Sequence, residues 1–175
     1  GIYFDNSTAS FEYVTISNNS TNLKGGGIYS LGSSLELSLE NRCNIYSNNV
    51  SNTGSGADIY SNSLLEVVVD TFTVLNPTEY HASPLQNFTF DILNSINEQI
   101  NADIYVSPNG DNTNDGLTPD SPFRTIHYAM NIILADSINR NTIYLANGVY
   151  SPTTNQEHIP IQVVDYVSII GESEQ

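Results

Sequence analysis

Apolar and polar residues alternate with a period of two through much of the first 77 residues. Leu35, Leu37 and Leu39 interleave with Ser34, Glu36, Ser38 and Glu40, which predicts a strand buried on one side. Ile28 and Tyr29 open a short strand before it, and Cys43 with Ile45 make another after it. The same text then returns. "GIYFDNSTASFEYVTISNN" (1–19), "GIYSLGSSLELSLENRCNIYSNN" (27–49) and "DIYSNSLLEVVVDTFTVLNP" (58–77) each begin on an Ile-Tyr pair. Its isoleucine falls at 2, 28 and 59, so successive copies lie 26 and then 31 residues apart, in the solenoid range. Val14 with Ile16 in the first copy, and Phe72 with Val74 in the third, take the place of Cys43 and Ile45.

Three short strands per copy, joined by Gly, Asn and Ser turns with no room for a helix, predict one coil of a parallel β-helix. Each coil would lie on the last, giving an all-β, three-sheet solenoid around a dry core. Leucine-rich repeats have similar periods but need a leucine frame these copies do not share. A β-sandwich, whose turns recur about every 8–12 residues, is the fallback. Asn19 and Asn48 stand three residues after Ile16 and Ile45. They are expected either to stack at a coil corner or simply to serve as turn residues. Gly25–Gly27, Gly54 and Gly56 are expected to supply positive φ or close approach between coils.

After Pro77 the pattern stops, and residues 78–103 read as an irregular coil and linker. From Ile104 a short strand leads into a loop rich in Pro, Gly and Asp. Phe123, Ile126, Ala129, Met130 and Ile133, at steps of three and four, predict an amphipathic helix over 122–136, opened by Pro122 and capped by Ser121. Strands are expected at Thr142–Leu145, at Val149–Tyr150 after the Asn147-Gly148 turn, and within 161–172. A lone helix ahead of stacked strands has a physical purpose, because the open end of a β-helix exposes apolar lumen and unpaired edges. It is expected to cap a second solenoid that starts here and runs past Gln175. The predicted division is 1–77, with coils of the kind found late in a β-helix, then 78–103, then the capped start in 104–175.

Tyr105-Val106-Ser107-Pro108-Asn109-Gly110-Asp111, Gly116, Pro122-Phe123-Arg124-Thr125-Ile126, Ala129, Thr142-Ile143-Tyr144-Leu145, Gly148-Val149-Tyr150 and Ile170-Gly171 follow one another in order. Together they resemble the opening segment of right-handed parallel β-helix domains of the pectate-lyase-like superfamily. Gly26-Gly27-Ile28-Tyr29 and Ile45-Tyr46-Ser47-Asn48 resemble the repeats of polymorphic-outer-membrane-type adhesins, also right-handed β-helices. The resemblance implies a right-handed coil, and with it two functional classes: adhesive or structural proteins, and enzymes that cleave polysaccharides.

Four basic and nineteen acidic residues give a net charge of −15, which repels nucleic acid and anionic membrane surfaces. It also disfavours acidic polysaccharides unless a metal ion or a basic patch intervenes. Tyr, Ile, Leu and Val in periodic runs argue against a disordered acidic chain. Cys43 is the single cysteine, so an internal disulfide is excluded. No apolar run reaches membrane-spanning length. The chain opens inside a repeat, and a piece of a longer or processed protein is expected.

Polysaccharide lyases need a base and a cation opposite the uronate carboxylate. The candidates are Lys24, Arg42, Arg124 and Arg140, of which Arg42 lies nearest a sheet. Hydrolysis needs clustered aspartates, yet Asp5, Asp58 and Asp70 sit at unmatched offsets. His127 and His158 stand near no nucleophile, and His81 is expected to be solvated. No residue of the chain is expected to be catalytic or to hold an organic cofactor. Oxygen donors Asp111, Asn112, Asn114, Asp115 and Asp120 gather in one loop and suit calcium, against a loop that uses them for Asx turns. Five Asn-X-Ser/Thr sequons begin at Asn6, Asn18, Asn19, Asn49 and Asn87. The reading is an extracellular or cell-surface structural or adhesive β-helix, stacking end to end on copies of itself or on neighbouring β-helix domains. A carbohydrate-binding or carbohydrate-degrading domain with glycan partners is the alternative.

Overall fold

A computed structural model describes residues 1–51 and 55–172; Gly54 lies outside them. The chain divides into two compact units, Gly1–Glu98 and Gln99–Gln175. In the first, each copy of the repeat is one coil. The first coil holds β1 (Ile2–Asp5), β2 (Thr8–Phe11), β3 (Thr15–Ser17) and β4 (Ser20–Thr21), and the second holds β5 (Ile28–Leu31), β6 (Ser34–Leu37), β7 (Cys43–Tyr46) and β8 (Asn49–Val50). In the third, β9 (Ile59–Ser61) is followed by the long β10 (Leu65–Phe72). A fourth coil, β11 (Ala82–Ser83) and β12 (Phe88–Ser95), comes from sequence that carries no visible copy.

Strands stack in chain order, β1-β5-β9-β11 in one sheet and β3-β7-β10-β12 in another, with β2 on β6 and β4 on β8. Every pairing among these strands is parallel, which excludes the sandwich. The Ile-Tyr register is the one the repeat demands: Ile2 faces Ile28, Ile28 faces Ile59, and Ile16 faces Ile45. In the third copy Phe72, not Val74, faces Ile45 and Val69 faces Cys43, because the pairing of β10 shifts between Val69 and Thr71. The fold is a right-handed parallel β-solenoid, the hand that parallel crossovers adopt. Ile28, Ile45, Ile59, Val67, Val69 and Phe72 are fully buried in its lumen. The glycine run permits the stacking. A Cβ on Gly27 would lie 2.6 Å from the Asp58 carbonyl oxygen, so only glycine lets these two coils meet.

The second unit contains a three-stranded parallel sheet, β13 (Ile104–Val106), β14 (Thr142–Leu145) and β15 (Ser168–Gly171). Ile104 faces Ile143 and Tyr105 faces Tyr144, so the Ile-Tyr register operates here too, across 39 residues. The helix is shorter than its apolar periodicity predicts. α1 spans Ile126–Ile132, and its cap is Thr125, whose Oγ1 accepts from the Tyr128 amide, not Ser121. Phe123 is extended instead, bonded on both sides to β13: its N–H donates to Tyr105 O and its carbonyl accepts from Ser107. Ile133 at the other end pairs with Ile100. The buried face is the one the periodicity predicts, with Phe123, Ile126, Ala129, Met130 and Ile133 all at most 5% exposed. Among the described residues α1 is the only α-helix, and it packs on β13 as the cap of this sheet. No strand forms at Val149–Tyr150. There the chain turns, and the Tyr150 hydroxyl donates back to the carbonyls of Val106 and Ala146 at 3.0 and 2.8 Å.

Candidate functional site

Three groups of chemistry-bearing side chains stand out, and each is built by stacking. The first is a polar row at the corner after β3 and β7. Asn19 donates from its backbone and side-chain nitrogens to Asn48 Oδ1, at 3.1 and 3.0 Å. Asn48 Nδ2 reaches the carbonyls of Ile16 and Tyr46 and the Asp58 carboxylate, at 3.0, 3.1 and 2.9 Å. The Asn48 amide also donates to Asp58, and Thr73 bonds the same carboxylate while accepting from the Ser47 amide. Asp58 is 1% exposed, and burial lifts its carboxyl to about 6 although the bonds from Thr73 and Asn48 oppose the rise. The stacking of Asn19 on Asn48 was legible in the repeat. Asp58 was not, although one signal was present, because it stands where the other copies carry Gly1 and Gly27.

The second group is a row of tyrosines on the outer face of the β1-β5-β9-β11 sheet. Tyr3 stacks on Tyr29 at 5.4 Å between centroids and 10° between planes, and Tyr29 on Tyr60 at 4.9 Å and 20°. Lys24 Nζ lies 4.8 Å from the Tyr60 ring centre. Between this row and the 20–25 loop runs a cleft of about 400 Å³, lined by Tyr3, Tyr29, Ser20, Thr21, Leu23 and Lys24. Along the row the rings cover one another's faces, leaving edges and hydroxyls outward. Tyr105 on Tyr144, at 5.3 Å, repeats the device in the second unit.

The third group surrounds α1. Glu157, 2% exposed, accepts from the amides of Ile126 (2.7 Å), His127 (3.0 Å) and His158 (3.2 Å). Both carboxylate oxygens thus serve N–H groups that a helix start leaves without intrahelical partners. His127 and His158, far apart in sequence, stack at 4.6 Å. Burial, with the neighbouring His158 ring adding to it, pushes His127 down to about 4, so this imidazole is neutral at pH 7. Burial, then the charges of Glu157 and Glu172, pushes the Tyr150 hydroxyl up to about 12. His81 is not solvated: it is 1% exposed, with Nδ1 accepting from the Thr78 amide at 3.1 Å.

All four cations are held in contacts within the fold. Arg42 donates to the carbonyls of Val69 and Asp91 and, at 2.6 Å, to the Asp91 carboxylate, tying three coils together. Arg124 donates to Gly110 O and faces Asp111 at 3.3 Å. Arg140 lies 5.7 Å from the Tyr166 ring centre, and Lys24 covers Tyr60.

The loop read for calcium is held by its own hydrogen bonds. Asp111 Oδ1 accepts from the Thr113 amide and hydroxyl, which hold its carboxyl below the usual range, and Oδ2 faces Arg124. Asn112 Oδ1 accepts from the amides of Arg124 and Thr125, and Asn114 donates to Pro122 O. Asp115 closes an Asx turn on the Leu117 amide, and Asp120 is exposed. Asp111, Asn112 and Asn114 therefore converge on the 121–125 segment, whereas Asp115 and Asp120 face outward. Among the described residues no three His, Cys, Asp or Glu side chains are grouped to hold a metal ion.

Residues 108–175 match the model of a family described as a protein of unknown function (DUF1565). The match covers α1, its Glu157 clamp and the last two strands, and leaves the whole first unit outside it. No curated protein and no solved structure matches the chain. No helix among the described residues is long and apolar enough to cross a membrane.

Proposed function

We propose that this chain is a structural section of an extracellular or cell-surface β-helix protein, a stalk or adhesin segment of the pectate-lyase-like kind. One observation carries the reading: the chemistry-bearing side chains are used to bind coil to coil. The Asn19–Asn48–Asp58 row, the tyrosine row and the Arg42 clamp each join successive coils, and none presents a free cation to a uronate. The same geometry supports self-association. All four residues of β15 are exposed, Ile169 at 39% and Ile170 at 49%, and among the described residues only β14 pairs with it, in parallel. Its partner is a further coil, from a second copy or from an adjoining β-helix domain, in a contact that propagates instead of closing. Sedimentation velocity over a concentration series tests this. Species that grow with concentration are expected, and a monomer stable at every concentration rules out a second copy as that partner.

The cleft beside Tyr3 and Tyr29 favours one second reading, binding of a neutral glycan. The stacked rings present edges to it, so the contact would rest on hydroxyls and on the exposed Tyr3. Affinity electrophoresis in neutral polysaccharide gels tests it. Retardation that disappears in Tyr29→Ala would favour binding over scaffolding.

A further inference from the structure

We infer that Asn6, Asn18 and Asn49 are attachment sites for N-linked glycans, and that Asn19 and Asn87 are not, although all five begin a sequon. The inference rests on the extracellular reading above and is carried by where each side-chain amide points. Asn6 and Asn18 are exposed corner residues with φ of 46° and 58°. Asn6 Nδ2 donates only to the exposed neighbouring carboxylate of Asp5, and Asn18 Nδ2 only to Ser17 Oγ at a long 3.3 Å. Asn49 is exposed on β8, and its side chain has no partner among the described residues.

The other two amides hold the fold together. Asn19 Nδ2 donates to Ser17 O and Asn48 Oδ1, inside the corner row. Asn87 Nδ2 donates at 2.9 Å to Ser61 O, one coil back. Adjacent residues at a corner point opposite ways, so Asn18 is outward beside inward Asn19, and Asn49 outward beside inward Asn48. Glycosylation forms a bond from Asn Nδ2 to C1 of the sugar, with loss of one amide proton. It breaks the C1–O bond to a polyprenyl-diphosphate carrier, which leaves as the diphosphate. At Asn19 that exchange would place a glycan inside the solenoid corner. At Asn6, Asn18 and Asn49 it meets solvent.

The whole chain, secreted from a glycosylating eukaryotic host and shown folded by circular dichroism, is mapped by glycopeptide mass spectrometry. Glycan is expected on Asn6, Asn18 and Asn49 and absent from Asn19 and Asn87. Two variants separate the adjacent pair without altering either asparagine. Ser20→Ala removes the Asn18 sequon and should lose one glycan; Thr21→Ala removes the Asn19 sequon and should lose none. Glycan on Asn19 or Asn87 of the folded product, or an unmodified Asn6, Asn18 or Asn49, overturns the assignment. The extracellular reading fails separately, by absence of the protein from the surface fraction of the cells that make it.

Discussion

Asp58 shows how a solenoid turns a repeat position to a different use. Glycine there lets coils approach, whereas the carboxylate sits in the corner and receives Asn48 and Thr73. Its carboxyl is raised from an ordinary 3.8 to about 6, so the fold prefers the protonated form. The folded state therefore binds the proton over a pH range in which the unfolded chain has released it. Stability from this group is fully present below about pH 4 and is lost as pH rises through about 6, a swing of roughly 3 kcal/mol at most. Asp58→Asn keeps an acceptor oxygen for Asn48 and removes the charge. Urea unfolding should show the native chain losing stability between about pH 4 and pH 7 while the variant stays flatter and is the more stable at neutral pH. Parallel profiles for the two would show that Asp58 does not titrate in the fold.

At the scale of elements, α1 depends on a residue 25 positions beyond its end. Seven residues form too short a helix to persist alone, and Glu157 supplies acceptors to its first turn from outside. Glu157→Gln keeps the shape but turns an N–H group against an N–H group. A loss of roughly 1.5–3 kcal/mol is expected for a charge-assisted buried bond. Unfolding followed through exchange protection of the Ile126 and His127 amides checks it, and unchanged protection would mean that packing alone holds the helix. The Glu157 clamp was invisible in the sequence, since the dipeptide Glu157-His158 gives no hint that it folds back on residue 126. The coils were legible because stacking repeats a local pattern: Ile2, Ile28 and Ile59 had to share one environment. Where pairing is set by a distant strand, local pattern misled. Pro122-Phe123 reads as a helix start, yet β13 draws Phe123 into an extended bridge. The fourth coil reads in the sequence only as an irregular one, because β11 keeps only Ala82-Ser83 opposite Ile59-Tyr60, with no Ile-Tyr pair to mark it. The corner row was half visible for the same reason, since Asn19 and Asn48 recur and Asp58 occurs once.

For the molecule as a whole, charge and open edges oppose each other. In the proposed stacking, the β15 edge would attract another coil through backbone hydrogen bonds and the apolar Ile169 and Ile170, both of which are exposed. A net charge of −15 on 19.2 kDa repels every other copy. The two forces have different ranges. Backbone bonds act at contact, while repulsion between exposed carboxylates reaches about 30 Å at 0.01 M salt and about 3 Å at 1 M. Salt should therefore release association, opposite to the behaviour of an assembly held by ion pairs. Light scattering at one protein concentration is expected to rise between these two salt conditions, and to rise further with sulfate, which strengthens apolar burial. Inserting a lysine in place of Ile170 should abolish the increase, because its charged head would be carried into the contact that salt exposes. If scattering falls as salt is added, copies meet through charged faces, and the edge-to-edge contact is the wrong one.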